Sequence, residues 1–150
     1  MQVELAPQVR QRLRRELRRA KRREIGGVLM GEQIAAGHFR VVDFSVDAVT
    51  GSAAHFVRNN EQHEVALREF FQRTRSDYTR YNYLGEWHSH PSFDVRPSVT
   101  DVGSMLSLVE GERSIDFAVL LIVRLDVWLY LSHSISLFVR GQPPQMIHVT

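Results

Sequence analysis

The run Phe117-Ala-Val-Leu-Leu-Ile-Val123 constrains this chain more than any other feature. A short, uninterrupted apolar run with β-branched members reads as a strand that has no polar face, which belongs near the centre of a sheet covered on both sides. It is far too short to cross a membrane, which takes about 20 apolar residues. Ile115 to Val123 is therefore expected to form one central strand. Val127 to Leu131 is expected to form its paired neighbour, the two separated by Arg124-Leu-Asp126.

The covering layers have to be helices. Residues 5 to 23 carry Leu5, Val9, Leu13, Leu17 and Ala20 at spacings of three and four, with arginines filling the remaining positions. That spacing predicts an amphipathic helix, and Pro7 suits its first turn, where the missing N–H costs nothing. Glu61 to Thr74 repeats the pattern, with Val65, Leu67, Phe70 and Phe71 as its apolar side, and Ser98 to Glu110 gives a third helix ended by Gly111. Between them lie Ile25 to Gly31, a Gly-containing buried strand, and His38 to Val46, which Gly37 joins to it as a hairpin. Tyr81 to His90 reads as a strand that enters a loop bounded by Pro91 and Pro97, Ala53 to Arg58 as a short strand, and the tail beyond Gly141 as a last edge strand. Phe70, Phe71, Trp128 and Phe138 are expected in the core. With no internal repeat and no linker, residues 1–150 read as a single α/β domain, a mixed β-sheet flanked by helices in three layers.

Charge is unevenly spread. Arg10 to Arg23 holds nine basic residues against Glu16, a local +8, while the whole chain is only +2. Most simply this is a solvated face over an apolar stripe; an acidic protein partner is the next reading, and nucleic acid is disfavoured. The opening residues lack the long apolar stretch of a signal peptide, so a cytoplasmic protein with no membrane partner is expected.

The chain has no cysteine, so any metal must be held by histidine and carboxylate. His88 and His90 lie two apart on a strand, which turns both imidazoles to one face. Alone, such a pair is more often just two polar strand residues. Pro91 stops the strand, however, and Asp101 follows at the start of a helix, in Ser98-Val-Thr-Asp101. That sequence has the form of a capping box, and an N-capped turn is also a rigid place from which to project a ligand. Two histidines and one carboxylate leave a coordination position open, as catalytic sites do, although the same set also suits non-haem iron. Hydrolysis further needs a proton acceptor. Glu86, which shares the parity of His88 and His90, and Glu24, at the junction of the basic helix and the first strand, are both eligible on residue type. The remaining histidines, His38, His55, His63, His133 and His148, have no chelating spacing. Asp94 is expected to serve the turn, and Trp87 to pack beneath the site.

Three blocks, Arg23-Glu-Ile-Gly-Gly-Val-Leu-Met-Gly31, Trp87-His-Ser-His-Pro91 and Pro97-Ser-Val-Thr-Asp101, together resemble the JAB/MPN family of JAMM metallopeptidases. The resemblance implies the cytidine-deaminase-like fold of that family and one zinc ion per chain on His88, His90 and Asp101. It makes Glu24 the acid/base that activates the attacking water, and Ser98 the residue that helps hold the substrate carbonyl. Tyr83-Leu-Gly-Glu-Trp-His-Ser-His-Pro91 is closest to bacterial members encoded beside ubiquitin-transfer-like enzymes, including the deconjugating peptidases of CBASS-type anti-phage operons. The implied substrate is the amide or isopeptide bond after the C-terminal tail of a conjugated protein or ubiquitin-like modifier, with E1/E2-like enzymes as further partners. Relatives also trim ubiquitin-like or sulfur-carrier precursors, or serve as idle modifier-binding modules. An extended tail could add a strand at an exposed edge, for which Ala53, His55 and Val57 are the candidates.

Overall fold

The computed structural model describes residues 1–47 and 61–150. Its elements in chain order are β1 (Gln2–Leu5), α1 (Pro7–Ala20), β2 (Gly26–Ala35), β3 (His38–Phe44), α2 (Glu61–Arg73), β4 (Tyr81–Ser89), α3 (Val99–Gly111), β5 (Phe117–Leu125), β6 (Leu131–Val139) and β7 (Gln145–Ile147). The strands make one sheet in the order β1-β3-β2-β4-β5-β6-β7. β4 and β5 run parallel at its centre, as do β1 and β3 at one end, and the remaining neighbours are antiparallel. The Ala53 to Arg58 strand, with Ala53, His55 and Val57, lies outside the described residues.

The central run behaves as its composition requires. Ala118 to Val123 are all buried, and alternate residues enter different cores. Val119, Leu121 and Val123 pack with Val9, Leu13 and Leu17 of α1, whereas Ala118, Leu120 and Ile122 pack with Met105, Leu108 and Val109 of α3. A third cluster sets Phe70 of α2 on Val28 and Met30 of β2. The sheet is thus the middle of three layers, with α1 on one face and α2 and α3 on the other. Each large side chain buried in it contributes roughly 1.5–3 kcal/mol.

Most of the predicted stripe of α1 is buried (Val9, Leu13, Leu17 and Ala20), but Leu5 is not part of the helix. It closes β1, where Val3 and Leu5 point inward and Gln2 and Glu4 do not, a period of two that Leu5 conceals by also fitting the helical spacing. The arginines of α1 are mostly exposed; Arg10 and Arg12 are half-buried, and Arg12 Nη1 is 2.6 Å from Asp43, which also binds Arg73 of α2. In α2 the inward face runs through His63, Leu67 and Phe70, so Val65 is turned outward and is exposed.

The β5–β6 hairpin differs most from expectation. Its register pairs Phe117 with Val139 and Leu125 with Leu131, so the second strand begins at Leu131 and residues 126–130 form the turn. Val127 to Leu131 is therefore not a strand, and Trp128 is not core: it is 80% exposed.

Gly85 shows how tightly the central strands are set. Its φ is +154°, and a Cβ there would lie 1.9 Å from the carbonyl oxygen of Val119 on β5. Gly85→Ala is expected to destabilise the fold by about 3 kcal/mol or more, with a fall in Tm on the order of 10 °C. Thermal unfolding followed by circular dichroism checks this, and an unchanged Tm would mean that β4 and β5 are not in this register.

Candidate metal centre

β4 delivers the first two groups. Its register with β5 sets Trp87 beside Leu121 and His88 beside Ile122. Trp87 therefore enters the core under α1, edge-on to Phe44 and with its Nε1 donating to the Ser45 carbonyl at 2.8 Å. His88 faces the side covered by α2 and α3. His90 lies just past the strand, where its backbone N–H donates to the Val123 carbonyl at 2.9 Å and so keeps it in line.

α3 delivers the third group. Ser98 caps the helix: its hydroxyl accepts from Asp101 N at 3.1 Å, and its own N–H donates to Asp101 Oδ2 at 2.7 Å. The capping box is real, and it fixes the Asp101 carboxylate in the first turn, pointing at β4. Burial alone would raise the Asp101 pKa, but hydrogen bonding and charge from His88, with hydrogen bonds from Ser98, outweigh it and bring the pKa down to about 2. A carboxylate in this place is ionised and ready to bind a cation.

The three side chains converge. His88 Nε2 and His90 Nε2 are 3.1 Å apart, Asp101 Oδ1 is 3.5 Å from the first, and Asp101 Oδ2 is 3.8 Å from the second. Tetrahedral donors bound at about 2.0–2.1 Å to one ion stand roughly 3.3–3.4 Å from each other, so this spacing fits a single small divalent metal. The tautomer fits as well. His90 Nδ1 lies 2.8 Å from the Asp94 carbonyl oxygen, which can only accept, so Nδ1 carries the proton and Nε2 presents its lone pair. All three residues are buried, and among the described residues they make the one cluster able to hold a metal ion.

Strand pairing brings Ile25, the residue after Glu24, beside Ser89, between the two histidines. β2 runs antiparallel to β4 with Gly26 opposite His88, and Ile25 and Ser89 are joined by two hydrogen bonds, Ser89 N donating to the Ile25 carbonyl at 2.8 Å and Ile25 N donating to Ser89 at 3.0 Å. One of these uses the Ser89 hydroxyl, which accepts from Ile25 N. Glu24, the residue before Ile25, is half-buried. Gly26 makes the approach possible: a Cβ there would meet the Trp87 carbonyl oxygen at 2.5 Å and His88 Cβ at 2.9 Å. Glu86 shares the face of His88 but lies deeper, between Val28 and Leu120, and is only 9% exposed.

Two supports escaped the sequence reading. Asp94 contributes its backbone carbonyl rather than its carboxylate, and nothing in a one-letter sequence marks a carbonyl. Ser89, the middle residue of His-Ser-His, anchors the strand that carries Glu24, and its place between two candidate ligands was the available signal. The other described histidines stay apart from the centre: His63 is buried against Ser45 Oγ at 2.6 Å, His38 binds Glu4, His133 has its pKa lowered by burial, and His148 is exposed.

A buried His-His-Asp group able to hold a metal ion, at the carboxyl ends of the central strands of a three-layer sheet, defines the class of this α/β domain. The chain belongs to the prokaryotic homologs of the JAB domain, whose family profile matches residues 6–134. It is similar to a CD-NTase/cGAS isopeptidase of Vibrio cholerae, 32% identical over 109 residues, covering 71% of this chain and 65% of that protein. A protein of the same description from Escherichia coli is 30% identical over 110 residues, with the same coverage. The chain thus spans about two thirds of the length of these relatives, 65% in each case. The fold recurs in the solution structure of a Desulfitobacterium hafniense protein, with TM-score 0.65 and 16% identity over 99% of this chain and 91% of that one. A Salinibacter ruber protein gives TM-score 0.57 and 18% identity over 97% and 89%. Among the described residues no helix is long and apolar enough to cross a membrane.

Proposed function

We propose that this chain is a zinc-dependent isopeptidase that hydrolyses the amide bond after the C-terminal tail of a conjugated protein. The observation that carries the reading is the buried group His88, His90 and Asp101 at metal-ligand spacing, with Ser98 capping the ligand helix. A zinc ion on the first three, one per chain, would supply Lewis-acid charge that acidifies water and polarises the scissile carbonyl.

The chain's own residues do the rest. Glu24 accepts the proton of the attacking water and passes it to the leaving amine, a task for which its half-exposed place suits it better than the buried Glu86. The Ser98 hydroxyl already accepts from Asp101 N, so its own O–H is directed outward to donate to the carbonyl oxygen as charge builds there. His90, held by the Asp94 carbonyl, keeps its orientation through the cycle.

The names of the two curated relatives support a CD-NTase or a similarly conjugated protein as the substrate. On this reading residues 1–150 form one peptidase unit of a cytoplasmic, ubiquitination-like system of anti-phage defence, working beside E1/E2-like enzymes. The test uses a folded CD-NTase fused through its terminal residue to a reporter protein. Zinc-loaded protein should cut the fusion at that residue, read by intact mass. A chelator should lower the rate by about 100-fold or more, and added zinc should restore it. Absence of cleavage by the zinc-loaded protein would overturn the proposal.

A further inference from the structure

The turn of the β5–β6 hairpin is built against the usual rules. Gly, Asn and Asp dominate such turns because they tolerate a positive φ. Here the turn carries Val127-Trp-Leu-Tyr130, 91%, 80%, 51% and 70% exposed, and Leu129 holds a φ of +63°. Stability alone selects neither the strained leucine nor four consecutive exposed apolar residues.

The turn is also firmly held. Asp126 N donates to the Tyr130 carbonyl at 2.9 Å and Leu129 N to the Asp126 carbonyl at 2.8 Å. The Asp126 carboxylate accepts from Arg124 Nε at 3.0 Å and from the Ser132 hydroxyl at 2.6 Å, and these bonds lower its pKa. The same guanidinium donates through Nη1 to the Phe93 carbonyl at 3.0 Å, so one arginine joins the turn to the loop beside His90. Phe93 is 63% exposed and stands edge-on to the His90 ring, with centroids 6.3 Å apart. Val99, in the first turn of the helix that carries Asp101, is 91% exposed. Six of the eleven exposed large apolar residues described thus lie in this turn, at Phe93 beside His90, or in the first turn of α3.

We propose that Phe93, Trp128 and Tyr130 form a docking platform for a neutral, apolar patch on the folded body of the protein whose tail enters the centre. Position and charge both argue for this occupant. β5 is parallel to β4, so the turn leaves the same end of the sheet as His90, where any substrate must lie. The one acid of the turn is paired with Arg124, so Val127 to Tyr130 present an apolar surface that complements an uncharged one. Exposed, preorganised Trp and Tyr are the side chains that dominate protein–protein binding, because little entropy is lost when they are covered. The strongly basic α1 lies on the face of the sheet away from α3, which carries Asp101.

The inference rests on the isopeptidase reading, and the test separates the two. The double variant Trp128→Ser, Tyr130→Ser is compared with the wild type on two probes: the folded CD-NTase fusion, and the last ten residues of that tail linked to a fluorogenic amine. The expected result is a KM for the fusion raised by about 30-fold, the scale of a hot-spot aromatic, with peptide turnover and zinc content within twofold. An unchanged KM for the fusion, or equal losses on both probes, would overturn it. So would loss of self-association in the variant with no change in KM, which would make the platform an interface between copies. If the wild type cuts neither probe, the isopeptidase reading falls, and a photoreactive phenylalanine at position 128 then decides the inference alone. Its cross-linking to the CD-NTase supports the platform, and its failure to do so overturns it.

Discussion

Glu24→Gln is expected to lower turnover of the fused substrate by about 10²- to 10⁴-fold, the usual contribution of a positioned general acid–base. Bound zinc should stay at one per chain. Glu24 is placed by the pairing of β2 with β4, through Ile25 and Ser89, and does not itself hold the metal cluster together. Glutamine keeps the size and the half-exposed position but cannot accept and return a proton near neutral pH. The matching variant Glu86→Gln, on the same face yet deeper, should change stability more than turnover. Rates for the two variants, with metal content measured on the same samples, assign the role. Full activity in Glu24→Gln with normal zinc would remove Glu24 from the mechanism.

How far the sequence foretold all this depends on the range of the signal. The α1 stripe from Val9 to Ala20 and the apolar run of β5 were legible because burial there follows a local period. The capping box of α3 was legible for the same reason, being a contact between residues three apart. Glu24 was not legible from local pattern: the pairing of its neighbour Ile25 with Ser89 joins segments more than sixty residues apart, and only the family resemblance selected Glu24 over Glu86. Trp128 was misplaced because Val-Trp-Leu-Tyr has the composition of a buried strand. Only the register of Leu125 with Leu131 shows that these residues make the turn. Leu5 was misassigned because one residue can satisfy the last step of a strand and the first step of a helical stripe. In each miss a long-range constraint, the sheet register, overrode a local period.

The second large effect concerns Asp101, which serves as helix cap and candidate ligand at once, and two substitutions separate these roles. Asp101→Asn keeps an oxygen that can accept from Ser98 N, so the helix start should survive, while the anionic donor 3.5–3.8 Å from the two Nε2 atoms is lost. Zinc retention should fall sharply, and turnover with it, by about 100-fold or more. Metal-free Asp101→Asn should nevertheless melt close to the metal-free wild type. Asp101→Ala removes the cap as well, and its metal-free form should be less stable by a further ~1 kcal/mol. In the presence of zinc the gap between wild type and either variant should widen. A ligand at 1,000 times its dissociation constant adds about 4 kcal/mol to the form that binds it, and only the wild type retains the complete set. Differential scanning calorimetry with and without zinc reads both quantities. If Asp101→Asn keeps the full zinc-induced rise in Tm, the carboxylate is a cap alone, and the metal must be held by the two histidines with some other donor.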